Sequence, residues 1–208
     1  MKVSVTYLGR ILSIEETIKL IEESVADYIH VDFMDGEFVP TKNFELDEVK
    51  EFLKNTKKKL DVHVMVNNPL DYLPTFSKLN TEYYTFHYEA VEDVNETIEK
   101  IKSYNLKVGI AINPETQIDE IIPFLDKIDL VLIMSIKPGW AGQSFISSSL
   151  DKIKELSKLK GDFKIAVDGG VNDSTAKEIK DSGADILVAS SYIVKSDNYN
   201  ERINKLKN

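Results

Sequence analysis

Residues 30–36 read His-Val-Asp-Phe-Met-Asp-Gly, and residues 61–66 follow a similar plan as Asp-Val-His-Val-Met-Val. Both are short, largely apolar runs with polar residues at alternate positions, a pattern typical of β-strands. Because residues two apart in a strand face the same way, His30 and Asp32 project together, and His63 meets them if its strand lies alongside. Two imidazoles and a carboxylate on one face are the beginning of a divalent-metal site.

The rest of the chain alternates strand-like and helix-like segments. Strands are predicted near residues 2–8, 28–33, 59–66, 82–87, 106–112, 128–135, 163–168 and 185–189. Amphipathic helices are predicted near residues 14–21, 45–54, 70–79, 92–104, 115–125, 147–158, 173–182 and 198–207. Ser13 and Glu16 have the spacing of a capping box at the start of the first helix. Eight strand–helix pairs in about 200 residues match the lower size limit of a (β/α)₈ barrel.

Strand–helix alternation is also typical of an open, doubly wound sheet, so the order of elements does not decide the architecture. The polar residues favour the barrel, because they lie in or just after six different strands: His30 with Asp32, His63, His87, Asn113, Ser135 and Asp168. In an open sheet such strand ends spread along a line, whereas in a closed barrel they converge on one point. We therefore predict an α/β fold in which residues 1–208 form a single (β/α)₈ TIM-barrel domain.

The composition is that of an ordinary globular protein, with 42% hydrophobic and 29% charged residues. The net charge of −9 argues against nucleic acid or an anionic membrane as the main partner, while backbone donors can still hold a small phosphorylated substrate. There is no cysteine, which excludes disulfides and thiolate metal ligands. The sequence shows no signal-peptide pattern and no apolar run of transmembrane length, so we expect a cytoplasmic protein.

Asp168, in the run Val-Asp-Gly-Gly at residues 167–170, adds a second carboxylate to the predicted metal site. A lone strand histidine is more often a satisfied core residue, and a lone aspartate is more often a helix cap. Four such groups at strand ends favour a metal, and nitrogen and oxygen ligands suit Zn²⁺, Fe²⁺, Mn²⁺ or Co²⁺. His87 is expected to support this site from outside or to be structural, since four better-placed ligands already fill it.

Asp32 and Asp168 also suggest paired acid and base chemistry. A reaction that removes a proton from one face of a carbon and returns one to the other face needs groups on opposite sides. A metal held between the two aspartates would stabilise an enediolate as negative charge moves onto oxygen.

Three segments with glycine or serine follow the last three predicted strands. They are residues 137–143, Lys-Pro-Gly-Trp-Ala-Gly-Gln, residues 168–170, Asp-Gly-Gly, and residues 189–191, Ala-Ser-Ser. Any one of them alone is more often a turn, but loops after the last strands of barrels commonly offer backbone N–H groups to phosphate. We therefore predict a phosphate site there, and residues 137–145 have the length and the glycines to move as a lid.

These segments together resemble the ribulose-phosphate 3-epimerase family over nearly the whole chain. The matching segments, in the order that the family has them, are residues 30–40, 61–66, 87–90, 109–116, 131–135, 138–139, 142–146 and 167–171. So many ordered motifs are highly specific to one family. The resemblance implies a (β/α)₈ barrel that interconverts D-ribulose 5-phosphate and D-xylulose 5-phosphate in pentose phosphate metabolism.

The resemblance also implies roles for individual residues. One divalent metal would be bound by His30, Asp32, His63 and Asp168, with Asp32 and Asp168 as the acid and base on opposite faces of substrate C3. Periodicity alone interprets three methionines late in strands as core residues, but the resemblance places them beside the enediolate: Met34, Met65 and Met134. His63 is also counted as a substrate contact. Phosphate would be held by backbone donors around Gly139, Ala141, Gly142, Gly169, Gly170, Ser190 and Ser191.

The chain departs from the family at the rim and keeps the centre intact. Residues 5–11, Val-Thr-Tyr-Leu-Gly-Arg-Ile, replace the usual Pro-Ser-Ile-Leu-Ser-Ala-Asp. Thr6 nevertheless keeps a hydroxyl where the family's serine touches substrate. The other departures, at positions where the family usually has asparagine, aspartate or glycine, are Thr41, Lys42, Lys137, Ala141 and Ser190.

The sequence therefore predicts a metal-dependent 3-epimerase with D-ribulose 5-phosphate as the favoured substrate. One alternative is a related epimerase acting on a longer ketose phosphate such as D-allulose 6-phosphate, for which Arg10, Thr41 and Lys42 would reshape the mouth. Another is a catalytically silent barrel that binds a sugar phosphate as a sensor. The intact Asp32 and Asp168 argue against the sensor, because binding alone does not need two acid/base groups.

The sequence contains no arginine between Arg10 and Arg202. We therefore expect the phosphate to bind to backbone N–H groups, with Lys137 adding positive charge at the start of the lid. We also expect a homo-oligomer, either a dimer or a hexamer.

Overall fold

The structure, a computed structural model, describes residues 1–140 and 142–208. Within these ranges eight parallel strands pair in chain order, and the last pairs with the first to close a barrel. The strands are β1 Lys2–Thr6, β2 Tyr28–Met34, β3 Lys59–Met65, β4 Thr81–His87, β5 Lys107–Ile112, β6 Leu130–Met134, β7 Lys164–Asp168 and β8 Ile186–Ala189. This topology confirms the predicted (β/α)₈ barrel and excludes the open sheet.

Helices follow the strands and bury one apolar stripe each. In the described ranges they are α1 Ile14–Glu23, α2 Leu46–Leu53, α3 Pro69–Phe76, α4 Val94–Lys102, α5 Ser149–Lys158, α6 Ala176–Asp181, α7 Ser191–Val194 and α8 Tyr199–Lys207. The predicted capping box starts α1: the Glu16 N–H donates to Ser13 Oγ, and the Ser13 N–H donates to the Glu16 carboxylate. Ile14, Ile18 and Ile21 form the buried stripe of this helix. Across the described chain, no helix is both long and apolar enough to cross a membrane.

The connection from β5 to β6 differs from its prediction. Residues 115–125 are predicted to form an amphipathic helix, but the structure has two 3₁₀ segments there, Ile118–Glu120 and Ile122–Lys127. Pro123 lacks an N–H group and its ring crowds the preceding turn, so it disfavours an α-helix at the end of this segment. The short helix α7 was also not predicted, because four residues are too few to show a helical period.

Alternation along β2 explains how polar side chains enter the barrel. Ile29, Val31 and Phe33 belong to the outer core between the strands and the helices. Tyr28 lies instead in the apolar cluster that fills part of the barrel interior. Because alternate residues of a strand share a face, the side chains two, four and six residues after Tyr28 also point inward. The alternation of β2 therefore places the imidazole of His30, the carboxylate of Asp32 and the thioether of Met34 in the barrel interior.

Candidate active site

Four predicted ligand residues converge in the barrel interior. Strand register pairs Asp32 of β2 with His63 of β3, and Asp168 ends β7, which lies across the barrel from β3. One nitrogen or oxygen atom from each of the four residues lies within 4.8 Å of the others: His30, Asp32, His63 and Asp168. Both histidines are fully buried, and Asp32 is almost fully buried.

The two imidazoles direct different ring nitrogens at the same point. His30 Nε2 lies 3.3 Å from Asp32 Oδ1, whereas His63 uses Nδ1, which lies 3.2 Å from the same oxygen. His63 Nδ1 is also 3.9 Å from Asp168 Oδ2. In the described part of the chain, the buried Nε2 of His30 has no hydrogen-bond partner. An orphaned nitrogen among carboxylate oxygens at these spacings fits a divalent cation, which binds such atoms at about 2.0–2.2 Å.

Asp61 supports His30 from the side away from this point. The His30 Nδ1–H donates to Asp61 Oδ2 at 2.8 Å, and the same oxygen accepts a hydrogen bond from Ser4 Oγ at 2.8 Å. An outer carboxylate of this kind fixes the ring orientation and tautomer of a metal-binding histidine. Asp61 was not predicted as a site residue, although a signal exists: it lies two residues before His63 and therefore shares its inward face.

The two candidate acid/base residues have opposite electrostatic surroundings. Burial raises the pKa of Asp168 to about 7, and the nearby charge of Asp32 adds to the effect. Burial would also raise the pKa of Asp32, but the His30 and His63 imidazoles outweigh it and hold that pKa well below its ordinary value. Thr6 Oγ1 donates to Asp32 Oδ2 at 2.7 Å and so also favours the charged form. In the metal-free protein, these surroundings favour the charged form of Asp32 and the protonated form of Asp168.

The two inward histidines also differ in charge. Burial lowers the pKa of His63 to about 4, so its ring is neutral and keeps one lone pair free. Burial acts in the same direction on His30, but the charges of Asp61 and Asp32 outweigh it and raise the pKa of His30. His87 lies behind His63, with the two Nε2 atoms 2.9 Å apart, and does not belong to the group of four that converges.

A cavity of about 380 Å³ adjoins these residues, within the range typical of small-molecule sites. Asp32 and Asp168 line it, and so do the three methionines Met34, Met65 and Met134, each 1–2% exposed. Met34 and Met65 are paired in register, two residues beyond the ligand positions of β2 and β3. They therefore form a soft apolar layer between the polar centre and the mouth of the cavity.

The loops after β6, β7 and β8 form another part of the cavity wall. The predicted substrate-contact residues found in the wall are Thr6, Gly139, Gly142, Gly169, Gly170, Ser190 and Ser191. Two other predicted contacts remain: His63 is not among the described residues that line the cavity, and Ala141 lies outside the described residues. Gly169 and Gly170 have φ values of +121° and +63°, and a Cβ on either would come within 2.5 Å of Ile136 or Phe145. Only glycine fits these two positions, both for backbone conformation and for space.

A lysine other than the predicted one lines the cavity. Lys195 follows the short helix α7 and belongs to the wall, as does Tyr192 within that helix. Lys137, which was expected to add charge, is exposed and is not among the described residues that line the cavity. Neither wall residue was predicted, because α7 is too short to leave a pattern in the sequence.

The residues expected to reshape the mouth contact other parts of the protein. The Arg10 guanidinium lies 5.3 Å from the ring centroid of Phe44, and Lys42 Nζ forms an ion pair with Glu45 at 2.6 Å. Among the described residues of the cavity wall, Arg10, Thr41 and Lys42 are absent. These three residues therefore give the longer ketose phosphate no structural support.

The chain matches the model described as the ribulose-phosphate 3 epimerase family over residues 8–194. A ribulose-phosphate 3-epimerase of Bacillus subtilis is 38% identical over 195 residues, which cover 91% of this chain and 90% of the relative. One from Chlamydia muridarum is 37% identical over 186 residues, covering 86% and 82%. A solved structure of a tryptophan synthase alpha-subunit mutant from Pyrococcus furiosus has a TM-score of 0.71 at 15% identity. That match covers 99% of this chain and 97% of the other, and it shows the shared fold alone.

Proposed function

Because this chain belongs to the ribulose-phosphate 3-epimerase family, and is thus an isomerase of the epimerase type, we propose that it interconverts D-ribulose 5-phosphate and D-xylulose 5-phosphate. The observation that carries the proposal is the pair Asp32 and Asp168. Both line one cavity, and their pKa values are displaced in opposite directions. A carboxylate that accepts a proton and a second carboxyl that donates one are what a two-base epimerisation needs.

We assign the binding of one divalent cation, Zn²⁺, Fe²⁺, Mn²⁺ or Co²⁺, to four residues: His30, Asp32, His63 and Asp168. His30 would offer Nε2, the buried nitrogen without a partner, and His63 would offer Nδ1. When bound, the cation supplies positive charge beside the substrate oxygens on which negative charge develops.

The proton transfers belong to the two aspartates. An ionised carboxylate takes the proton from C3, and the electrons of the broken C–H bond move onto the adjacent carbonyl oxygen to give an enediolate. The other carboxyl then donates its proton to the opposite face of C3, and the electrons return to form the new C–H bond. Asp32 and Asp168 line the same cavity, so one of them can take the proton from one face of C3 while the other donates to the opposite face. The reverse reaction exchanges their roles, so each aspartate serves one epimer.

The methionine layer and the three loops complete the proposed substrate site. Met34, Met65 and Met134 would keep water from the reacting carbon, which strengthens the electrostatic interactions there. The phosphate would bind to backbone N–H groups of the loops that contain Gly139, Gly142, Gly169, Gly170, Ser190 and Ser191. Lys195, the lysine of the described cavity wall, would add a positive charge.

A substrate screen of the metal-loaded protein tests this function. We expect the highest kcat/KM with D-ribulose 5-phosphate and a lower value with D-allulose 6-phosphate. A preference for the longer ketose phosphate would support the related epimerase instead. If the wild-type protein bound ketose phosphates without any turnover, it would be a silent sensor. The double variant Asp32→Asn/Asp168→Asn is the reference for this outcome, since we expect it to have no turnover.

We propose that residues 1–208 form one domain, since β1 closes the barrel against β8. We also propose that the protein is cytoplasmic. We propose a homo-oligomer, and the exposed apolar pair Ile11 and Leu12, 70% and 41% exposed, is a candidate contact. Light scattering of the purified protein will give the oligomeric state, and a monomer would contradict this part of the proposal.

A further inference from the structure

His87 lies behind His63 and takes no part in the proposed proton transfers. Its Nε2 atom is 2.9 Å from Nε2 of His63, and its Nδ1 atom is 3.2 Å from Oε2 of Glu89. Both rings are fully buried, and the ring of Phe38 packs against His87 with centroids 4.7 Å apart. Two ring nitrogens this close must share one hydrogen, with one ring as donor and the other as acceptor.

Glu89 determines which ring donates. Its Oε1 atom accepts hydrogen bonds from the Asn113 N–H at 2.8 Å and from the Thr116 hydroxyl. Burial raises the pKa of Glu89, but the hydrogen bonds from His87, Thr116 and Asn113 outweigh it and lower that pKa, so the carboxylate is charged. A lone pair on His87 Nδ1 would repel this carboxylate. His87 therefore carries its proton on Nδ1 and turns the lone pair of Nε2 toward His63.

We propose that His87 and Glu89 are positioning residues: they hold the proton of His63 on Nε2 and leave its Nδ1 lone pair directed at the cation site. This inference rests on the metal site of the proposed function. Nδ1 is the His63 nitrogen that lies near Asp32 and Asp168, so a cation between them would meet it. Without a cation, Asp32 Oδ1 at 3.2 Å draws the His63 proton toward Nδ1, and the His87–Glu89 pair opposes this by accepting at Nε2.

The two metal-binding histidines would then be supported in parallel ways. His30 donates from Nδ1 directly to the carboxylate of Asp61, so Nε2 is the nitrogen that faces the cation site. His63 donates from Nε2 to His87, which passes the interaction on to Glu89. In each case a carboxylate decides which ring nitrogen is available to a metal.

The connection between β5 and β6 fixes the orientation of Glu89. Lys152 of α5 donates to the carbonyl oxygens of Asn113 at 3.3 Å and Pro114 at 2.6 Å, and also to that of Thr116. This lysine holds the loop that carries both donors to Oε1 of Glu89. Because Oε1 is committed to those donors, Oε2 is the oxygen left for His87.

The variant Glu89→Gln keeps the shape of the side chain but reverses the donor and acceptor roles along the hydrogen bonds that join His63, His87 and residue 89. The amide oxygen must stay with the two donors, so the NH₂ group faces His87 Nδ1 and moves the His87 proton to Nε2. That proton then meets the Nε2–H of His63. In ¹H–¹⁵N spectra of the metal-free protein, we expect His87 protonated at Nδ1 in the wild type and at Nε2 in the variant. Mn²⁺ affinity, measured by calorimetry, should fall by about 10- to 100-fold.

Glu82→Gln is the matched control. Glu82 lies on β4, the strand that carries His87, and pairs with Lys107 at 2.9 Å near the surface. This control should change neither the His87 tautomer nor the Mn²⁺ affinity. Circular dichroism and thermal unfolding will verify that each variant is folded.

Two substitutions of His87 separate positioning from packing. His87→Gln can accept from His63 through its oxygen and donate to Glu89 through its nitrogen, whereas His87→Leu can do neither. We expect the Gln variant to retain Mn²⁺ affinity and the Leu variant to lose it as Glu89→Gln does. Equal Mn²⁺ affinities for His87→Gln and His87→Leu would overturn the inference. A Glu89→Gln variant with the wild-type Mn²⁺ affinity, or with the wild-type tautomer of His87, would also overturn it. A wild-type protein that binds no metal would refute the proposed metal site, while the spectra would still decide where His87 carries its proton.

Discussion

At the scale of single residues, Asp32 and Asp168 show how identical side chains acquire different chemistry. Asp32 lies against two imidazoles and accepts a hydrogen bond from Thr6, so its charged form is favoured. Asp168 is partly buried beside the charge of Asp32, so its protonated form is favoured. The difference comes from neighbours contributed by other strands, and it moves the pKa values of the two proposed proton-transfer groups in opposite directions.

The raised pKa of Asp168 predicts a pH dependence of metal binding. Its proton must leave before the carboxylate can bind a cation, and so must the second ring proton of His30, whose pKa is also raised. Mn²⁺ affinity should therefore fall by at least about tenfold per pH unit below about pH 7. Calorimetric titrations of the metal-free protein between about pH 5 and 8 will measure this. An affinity that does not change with pH would contradict the assignment.

The same shift has a consequence for the stability of the metal-free protein. A pKa that is higher in the folded than in the unfolded state means that the folded protein holds this proton more tightly. The contribution of Asp168 to stability is therefore present at low pH and is lost as the pH rises through about 7. The variant Asp168→Asn should lack this component of the pH dependence of Tm.

At the scale of elements, the loops after β6 and β7 support each other. The N–H and hydroxyl groups of Ser135 donate to the carbonyl oxygen of Asp168 at 2.8 and 2.9 Å, and the hydroxyl also donates to that of Gly169 at 2.7 Å. Gly170 packs against the backbone of Phe145 from the preceding loop. The proposed phosphate site is therefore built from backbone that is locked in place.

Substitution of Gly170 by alanine tests this locking. The residue has φ +63°, and its new Cβ would lie 2.5 Å from the Phe145 backbone nitrogen, which cannot move aside easily. We expect a loss of about 1–3 kcal/mol in stability, equivalent to a lower Tm by about 2–4 °C per kcal/mol, together with a higher KM. Gly161→Ala is the control, since nothing lies within 4 Å of its Cβ and its φ is not positive. Equal Tm values for the two variants would show that the loop is not locked.

The lysine contacts of the phosphate loops give a second prediction at this scale. Lys195 lines the cavity and Lys137 does not, so Lys195→Ala should raise KM about tenfold while Lys137→Ala changes it little. Steady-state kinetics with the phosphorylated substrate will compare the two. A larger rise in KM for Lys137→Ala than for Lys195→Ala would show that Lys137 supplies the positive charge. Loss of all phosphate binding in either variant would refute binding by backbone donors.

The elements of the barrel could be predicted from the sequence more completely than the site. Eight apolar runs are bounded by polar and glycine residues, so the strands are visible as local patterns. Asp61, Glu89 and Lys195 act on groups from other strands and loops, and only the register and the loop conformations bring them into contact. Residues 115–125 carry a helical pattern that Pro123 interrupts, which is a local effect that periodicity does not reveal.

At the scale of the whole molecule, closure of the barrel creates the site. β2 and β3 supply both histidines and one aspartate, while β7 supplies the other aspartate from across the interior. In an open sheet of the same strands these side chains would be far apart. Pairing of β1 with β8, from Lys2 against Ile186 to Val5 against Ala189, therefore brings the two proposed proton-transfer groups to one cavity.

The central claim is that two aspartates perform separate proton transfers at C3, and exchange of the C3 hydrogen with deuterium tests it most directly. The experiment follows exchange by NMR in D₂O from each epimer separately, with the wild type, Asp32→Asn and Asp168→Asn, and with the metal content of each protein measured. We predict that each variant loses net epimerisation by about 10²- to 10⁴-fold, while a variant that keeps its metal still exchanges the C3 hydrogen of one epimer only. A variant that keeps its metal and still epimerises at nearly the wild-type rate would contradict the two-base mechanism.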